Sequence, residues 1–352
     1  MLKKKFINML RHILWPTSAT FERETQKQNA LIAEKLAPVE PVYWHNSAER
    51  KMIGLNWGDV SAQPDFDQKF LHLVSGMDAD STAAVIRILT RQKKYLNTNE
   101  KSLDLFSRAE QAQLSEMRKS FQNEVLKLND HLFAYRNYLL PVNHFNHLSA
   151  NVFYYKHGIS QLKTADSVKG TSIIDVGGFI GDSVLVLSEL EPKSIVSFEA
   201  VPENYALLLE TLRLNNIENA VAEPFALGAE KGTMTMHVAG SGSSPINRLG
   251  VTFSDEIQVP VTTLDDYISE HPMEIGLIKV DIEGGEPLFL AGAKKTICQQ
   301  KPILLISIYH NAHDFFELKP LLESWDLGYT FSIHKEIDGN VTNETLLIAE
   351  AI

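Results

Sequence analysis

A single cysteine, Cys298, stands in a chain of 352 residues. No intrachain disulfide can form, so the core has to hold the fold, and nothing points to an oxidising compartment. Internal repeats and low-complexity tracts are also missing. Basic residues are in deficit, with 33 Lys and Arg against 44 Asp and Glu and a formal net charge of −11. Such a surface repels a phosphate backbone unless charge is strongly segregated, so nucleic acid is disfavoured as a partner. What is left is an ordinary globular composition, long enough for two domains, and the expected compartment is the cytoplasm.

The opening MLKKKFINMLRHILWP combines Lys3, Lys4, Lys5 and Arg11 with Leu2, Phe6, Leu10, Ile13 and Leu14, the pattern of a short basic amphipathic helix. It is too short and too charged to cross a bilayer, and it lacks the cleavage site of a signal peptide. Docking of its apolar face on the protein is the first expectation. Peripheral contact of residues 1–14 with an anionic membrane at its inner face is the alternative. Beyond it, residues to about 140 read as mainly helical. Asp80 and Ser81 are placed to cap a helix through Arg91 that carries Val85, Ile88 and Leu89 on one face. Leu114, Met117, Phe121, Val125 and Leu128 recur at three- and four-residue steps, one apolar stripe on a long helix.

After the connector LLPVNHFNHLSANVFYYKHG the texture changes, and short apolar runs alternate with helical segments. That is the pattern of an α/β parallel sheet with helices on both faces. The expected strands are Ser172 to Val176, Ile195 to Glu199, Ala220 to Ala226, Leu277 to Asp281 and Ile303 to Ile308. Helices are expected near Asp182 to Leu190, Pro202 to Leu214 and Pro287 to Gln299. Tyr329 to His334 and Glu344 to Ala349 would close the edge as an antiparallel pair. A mainly helical accessory domain over residues 1–140 would thus precede an α/β domain over 141–352.

Chemistry concentrates where the strands end. In IIDVGGFIGDS a buried strand ends at Asp175, and Gly177, Gly178 and Gly181 lead into a helix. Glycines let the backbone approach a ligand closely, and the helix N-terminus favours negative charge. The order D-x-G-G-x-x-G is not the G-x-G-x-x-G of a dinucleotide fingerprint, and the acid suits an ammonium better than a pyrophosphate. Glu199 ends the next strand, 24 residues after Asp175, where a carboxylate can accept both hydroxyls of a ribose. LIKVDIEGGEP places Lys279, Asp281, Glu283 and Glu286 at the exit of strand four, able to orient a hydroxyl, accept its proton or form an ion-pair network around a turn. ISIYHNAHD ends strand five at Tyr309 and His310, with His313 and Asp314 beyond, and His310 is the expected base. A divalent ion held by Asp281, His310 and their neighbours is an open alternative, but no diagnostic metal-ligand spacing is present, so no metal is expected. Ser243, Ser244 and Arg248 in GSGSSPINR could form a lid, and His144, His147, Tyr154 and Tyr155 could close the crevice.

DVGGFIGDS, FEAVPENYALL, TLDDY and KVDIEGGE, in that order and at these distances, resemble the FkbM methyltransferase family. The resemblance covers roughly Val152 to His334, and KVDIEGGE is its most distinctive piece. It implies a Rossmann-like class I methyltransferase sheet of seven strands, S-adenosyl-L-methionine as cofactor, and transfer of a methyl group to oxygen. The acceptor it implies is a small molecule or glycan, often a sugar in a surface polysaccharide or natural product. By position, Asp175, Gly177 and Gly181 correspond to the cofactor loop and Glu199 to the ribose acid. Asp281 and Glu283 correspond to the acids after strand four, and Gly178 and Ala226 are placed with the cofactor contacts. His310, Asp281 and Glu283 form the expected catalytic set. The helical region would select the acceptor or mediate homo-oligomerisation. A nicotinamide-dependent oxidoreductase and a non-catalytic Rossmann-like module are the competing readings.

Overall fold

The computed structural model describes residues 57–96, 105–146, 149–239, 242–244 and 255–352. The basic opening segment, His147 and Arg248 lie outside the described residues. All described residues belong to one compact unit, and no helix among them is long and apolar enough to cross a membrane.

Helix α1 (Phe66–Val74), α2 (Ala79–Leu96) and α3 (Arg108–Glu124) lead the described chain. The cap of α2 is Asp78, whose Oδ1 accepts from Ser81 N at 2.8 Å, instead of the expected Asp80 or Ser81. Ser81 is buried, and its Oγ accepts from the backbone N of Ile333 at 3.0 Å. A capping box of Ser107 and Glu110 opens α3. The apolar stripe on α3 holds through Leu114, Met117 and Phe121, but the helix does not reach Leu128. Val125–Asn129 is strand β1, followed by β2 (Leu132–Tyr135) and β3 (Tyr138–Leu140) in an antiparallel meander. Two tight connections cause this, at Asp130–His131 and at Arg136, whose φ is +54°. Phe133, Tyr135, Tyr138 and Leu140 become the buried set, and Leu126 and Leu128 face solvent.

The main sheet has seven strands in the order β13-β14-β12-β11-β4-β5-β6. Its parallel part is β4 (Ser172–Val176), β5 (Ser194–Phe198), β6 (Ala220–Glu223), β11 (Ile275–Val280) and β12 (Ile303–Ser307). The hairpin of β13 (Tyr329–His334) and β14 (Leu346–Ala351) closes the β12 side, β14 pairing antiparallel with β12. All five residues of β4 and of β12 are buried, which is why these strands read as mainly apolar runs without alternation. The intervening helices are α4 (Asp182–Leu187), α5 (Pro202–Leu214), α6 (Leu264–Glu270), α7 (Glu286–Gln300) and α8 (Ala312–Glu323). On one face Ile174, Val176, Ile278, Val280, Leu304 and Ile306 share a core with Phe289 and Leu290 of α7 and Phe315 and Leu318 of α8. Trp57, Leu73, Val85 and Ile88, from the leading helical segment, enter the same core. Asp175 and Lys279 alternate to the opposite face.

Strand three is shorter than the expected Ala220 to Ala226, because Pro224 cannot continue a ladder. Residues after it build a second sheet of order β7-β10-β8-β9. It comprises β7 (Ala226–Leu227), β8 (Gly232–Ala239), β9 (Gly242–Ser244) and β10 (Asp255–Thr262). Ser243 and Ser244 thus sit in a strand.

Leu73 is fully buried and Leu71, on the same helix, is 62 % exposed. Leu73→Ala is expected to cost about 2–5 kcal/mol in denaturant unfolding, and Leu71→Ala within about 0.5 kcal/mol of zero. Equal effects would show that α1 does not share the core.

Candidate active site

Strand order reverses between β4 and β11, and an open sheet of this kind offers its ligand crevice at the carboxyl ends beside that switch point. The backbone after β4 is drawn tightly across it. Gly177 has φ +86°, and a Cβ on it would lie 2.0 Å from the carbonyl oxygen of Asp281, so only glycine lets the loop touch the exit of β11. Gly177 N and Gly178 N both donate to Phe198 O, at 3.1 and 2.9 Å. Gly178 packs on Ser197, and Gly181 abuts Leu208 and Thr211. Glu199, just past β5, accepts from Phe179 N at 2.9 Å and Val201 N at 2.7 Å. Burial pushes its carboxyl up to about 7 despite these two donors.

Asp175 does not reach the crevice. It is fully buried, its Oδ2 accepts from Ser183 Oγ at 2.8 Å and Ser197 Oγ at 2.7 Å, and Lys279 Nζ lies 3.1 Å from Oδ1. Lys279 also donates to Gly177 O at 2.7 Å. Burial alone would lower the proton affinity of Lys279, but Asp175 and Asp281 outweigh it and the ammonium is held charged. The acid after β4 therefore anchors the glycine loop through a lysine.

The acids after β11 surround His310. Its Nε2 lies 3.2 Å from Asp281 Oδ1 and 3.5 Å from Glu283 Oε2, and its Nδ1 lies 3.1 Å from Glu286 Oε1. These are ion-pair contacts, off the line of a good hydrogen bond. Burial would strip the proton from this ring, but Glu286, Glu283 and Asp281 hold it well above the usual histidine range. His310 is 1 % exposed, an imidazolium beneath the cavity floor. Asp281 in turn stays ionised, His310 and Lys279 outweighing its burial. Neighbouring Asp314 is raised to about 7 by burial and by Glu286, whereas His313 points outward with a 69 % exposed side chain. Ligand atoms of Asp281, Glu286 and His310 lie within 4.8 Å of one another, a spread a metal could fill.

A cavity of about 510 Å³ opens over these elements. Gly177, Glu199, Ala226, Asp281 and Glu283 line it, while Asp175, Gly178, Gly181 and His310 stand behind its wall. Phe225, Leu227, Met234, Met236 and Leu288 make one side apolar. His144 reaches in from the connector, with its ring 5.3 Å from that of Phe179; Tyr154 and Tyr155 pack on each other, and the Tyr155 hydroxyl donates to Ile337 O. Motif reading overlooked three lining residues, His157, Tyr309 as a contact, and Glu344. The Tyr309 hydroxyl lies 3.4 Å from both Asp281 oxygens and from Glu344 Oε1. Burial, with Asp281 adding to it, raises Glu344 to about 8. Backbone strain invisible in sequence marks four lining residues: His157, Phe179, Glu283 and Glu344 all have φ between +44° and +62°.

A seven-stranded sheet of this order with its crevice beside the first glycine loop defines a class I methyltransferase fold. Residues 175–332 match the methyltransferase FkbM domain, and that region belongs to the FkbM methyltransferase family. Among curated relatives, Methyltransferase 1 of Beauveria bassiana is 28 % identical over 175 residues, 43 % of this chain and 70 % of that protein. The 2-O-methyltransferase NoeI of Sinorhizobium fredii is 26 % identical over 211 residues, 54 % of this chain and 82 % of that protein. The crystal structure of methyltransferase FkbM from Methylobacillus flagellatus superposes with a TM-score of 0.51 at 19 % identity, over 80 % of this chain and 58 % of the other. Residues 175–332 thus carry an S-adenosylmethionine-dependent methyltransferase domain.

Removing one partner of a buried ion pair leaves an uncompensated charge. Lys279→Met is expected to destabilise the protein by about 3–5 kcal/mol in urea unfolding, and adding Asp175→Asn to recover part of that loss. A double variant no more stable than the single one would refute the coupling.

Proposed function

We propose that the protein transfers the methyl group to a hydroxyl oxygen, that of a sugar in a surface polysaccharide or related glycan or natural product. One observation carries the reading: a single cavity joins the Gly177 loop and Glu199 on one side to Asp281 and Glu283 on the other. The first pair fits a nucleoside with a short cationic tail, the second fits a hydroxyl donor. The 2-O-methyltransferase among the relatives supports oxygen as the acceptor atom.

The cavity suits the cofactor on its own chemistry. Each Glu199 oxygen accepts one backbone N–H, and a carboxylate has about four lone-pair sites. Two therefore remain for the ribose hydroxyls. Gly177, drawn against the Asp281 carbonyl, offers bare backbone beside the methionine part, and Ala226, Leu227 and Leu288 provide apolar wall for the base. S-adenosylmethionine supplies a methyl group on a positively charged sulfur. What the chain contributes is alignment and a path for the hydroxyl proton. Asp281 and Glu283 accept hydrogen bonds from the acceptor and orient the attacking oxygen. His310 is a positioning residue: its proton fixes both carboxylates, so the base role expected of it passes elsewhere. We place the reaction in the cytoplasm, with His144 and the region before the sheet contributing to acceptor choice.

Calorimetric titration with S-adenosylhomocysteine tests the cofactor half. Loss of two hydrogen bonds to a charged acceptor should make binding to Glu199→Ala about 10- to 100-fold weaker. Because Glu199 titrates at about 7, wild-type affinity is expected to rise as pH increases through neutrality, when the carboxyl ionises. A flat profile with unchanged affinity in the variant would rule out Glu199 as the ribose acid. Methylation of p-nitrophenyl glycosides, followed with methyl-labelled cofactor, tests the acceptor half. Asp281→Asn is expected to lower kcat about 10- to 1000-fold, and label appearing on nitrogen or carbon acceptors alone would overturn oxygen transfer.

A further inference from the structure

Two histidines stand at this site, and the fold treats them oppositely. His310 is caged by Asp281, Glu283 and Glu286 and already carries its proton. His157 lies on no recognisable motif. It belongs to a run of three left-handed residues, Lys156, His157 and Gly158, with φ of +52°, +51° and +67°. Glycine tolerates that conformation, but lysine and histidine do so only under tertiary constraint. Gly158 supplies the constraint, since a Cβ there would lie 2.9 Å from Leu346 Cδ1 and 3.8 Å from His334 Cδ2. The chain is pinned against β14, and the imidazole is carried to the cavity wall.

His157 is 5 % exposed, and its Nε2 is buried with no hydrogen-bond partner. Buried polar atoms are nearly always paired, so a lone one beside a ligand cavity is a place for a ligand donor. Burial, and then Lys279, hold the proton affinity of this ring below the ordinary histidine value, while Asp182, Asp281 and Asp175 act in the opposite direction. His144, Tyr309 and Glu344 are the other titratable groups on its cavity, and His334 packs behind Gly158. Burial thus favours the uncharged ring, the state a general base needs.

We propose that His157 is the general base that takes the proton of the acceptor hydroxyl. The inference rests on the reading that the acceptor atom is oxygen. As the oxygen–methyl bond forms, the methyl–sulfur bond breaks and its electron pair stays on sulfur. The hydroxyl proton passes to the imidazole of His157, and Asp182 and Asp281 favour the resulting imidazolium. The ring returns the proton to water when product leaves, without any further reactant.

The experiment compares wild type with His157→Asn, which tolerates a left-handed backbone, and with His157→Gly, which leaves room for added imidazole. At saturating cofactor, kcat toward the p-nitrophenyl glycoside that is methylated best should fall about 100-fold or more in His157→Asn. The acid limb of the wild-type pH profile, lying below the usual histidine value, should vanish with it, and imidazole should restore part of the rate in His157→Gly. A variant with kcat within about threefold of wild type and the same acid limb overturns the proposal. A second readout needs no acceptor: in ¹⁵N-histidine spectra with S-adenosylhomocysteine bound, the resonance missing from His157→Asn should report a neutral ring between about pH 7 and 8. A ring protonated across that range overturns the proposal whatever the assay gives. Failure of the wild type to bind S-adenosylhomocysteine counts against the cofactor reading, and methylation confined to non-hydroxyl acceptors counts against oxygen transfer. Both are distinguishable from loss of the base.

Discussion

The buried ammonium of Lys279 is the contact on which the site depends. Parallel pairing puts Lys279 beside Asp175 and Asp175 beside Ser197, so one row of side chains crosses β11, β4 and β5 on a single face. Lys279 closes that row with Asp175 and reaches over it to the carbonyl of Gly177. Two ions taken out of water cost several kcal/mol each unless geometry repays them. Here the repayment comes from two serine hydroxyls, a carbonyl and the ion pair itself. The result is a glycine loop held in register with the exit of β11, close enough that Gly177 and the Asp281 carbonyl leave no room for a side chain.

Charge in the crevice is sorted by the same logic of burial and compensation. Asp281, Glu283, Glu286, Asp314 and Glu344 crowd one end of the sheet, and they cannot all ionise together. His310 neutralises the deepest of them and keeps Asp281 charged. Asp314 and Glu344, farther from that cation's help, are pushed up to about 7 and about 8. The cavity therefore presents Asp281, Glu283 and Glu344 together with the His157 imidazole, a wall rich in hydrogen-bond acceptors.

Much of this was legible in the chain. The five parallel strands are marked by apolar runs that only a sheet covered on both faces demands, and Pro202 places the start of α5 to the residue. Gly177, Glu199, Ala226, Asp281 and Glu283 meet on one cavity because strand ends of a parallel sheet converge whatever lies between them. Periodicity failed at Val125, where two tight turns outvoted a helical stripe, and after Pro224, where β8 and β10 find each other over a loop. His310, after β12, lies at the site as its position suggests, but three carboxylates from another strand exit raise its proton affinity.

Sequence by itself determined the α/β class, the strand order's raw material, the family of the methyltransferase region and the residues of the glycine loop, because these follow from local pattern and spacing. Tertiary structure alone decided that Asp175 faces a lysine and two serines, that His310 meets three carboxylates, and that His157 and Glu344 join the cavity. Those outcomes turn on burial and on neighbours far away in the chain, His157 lying more than a hundred residues from Lys279 and Asp281, and no local pattern encodes the dielectric a side chain will meet.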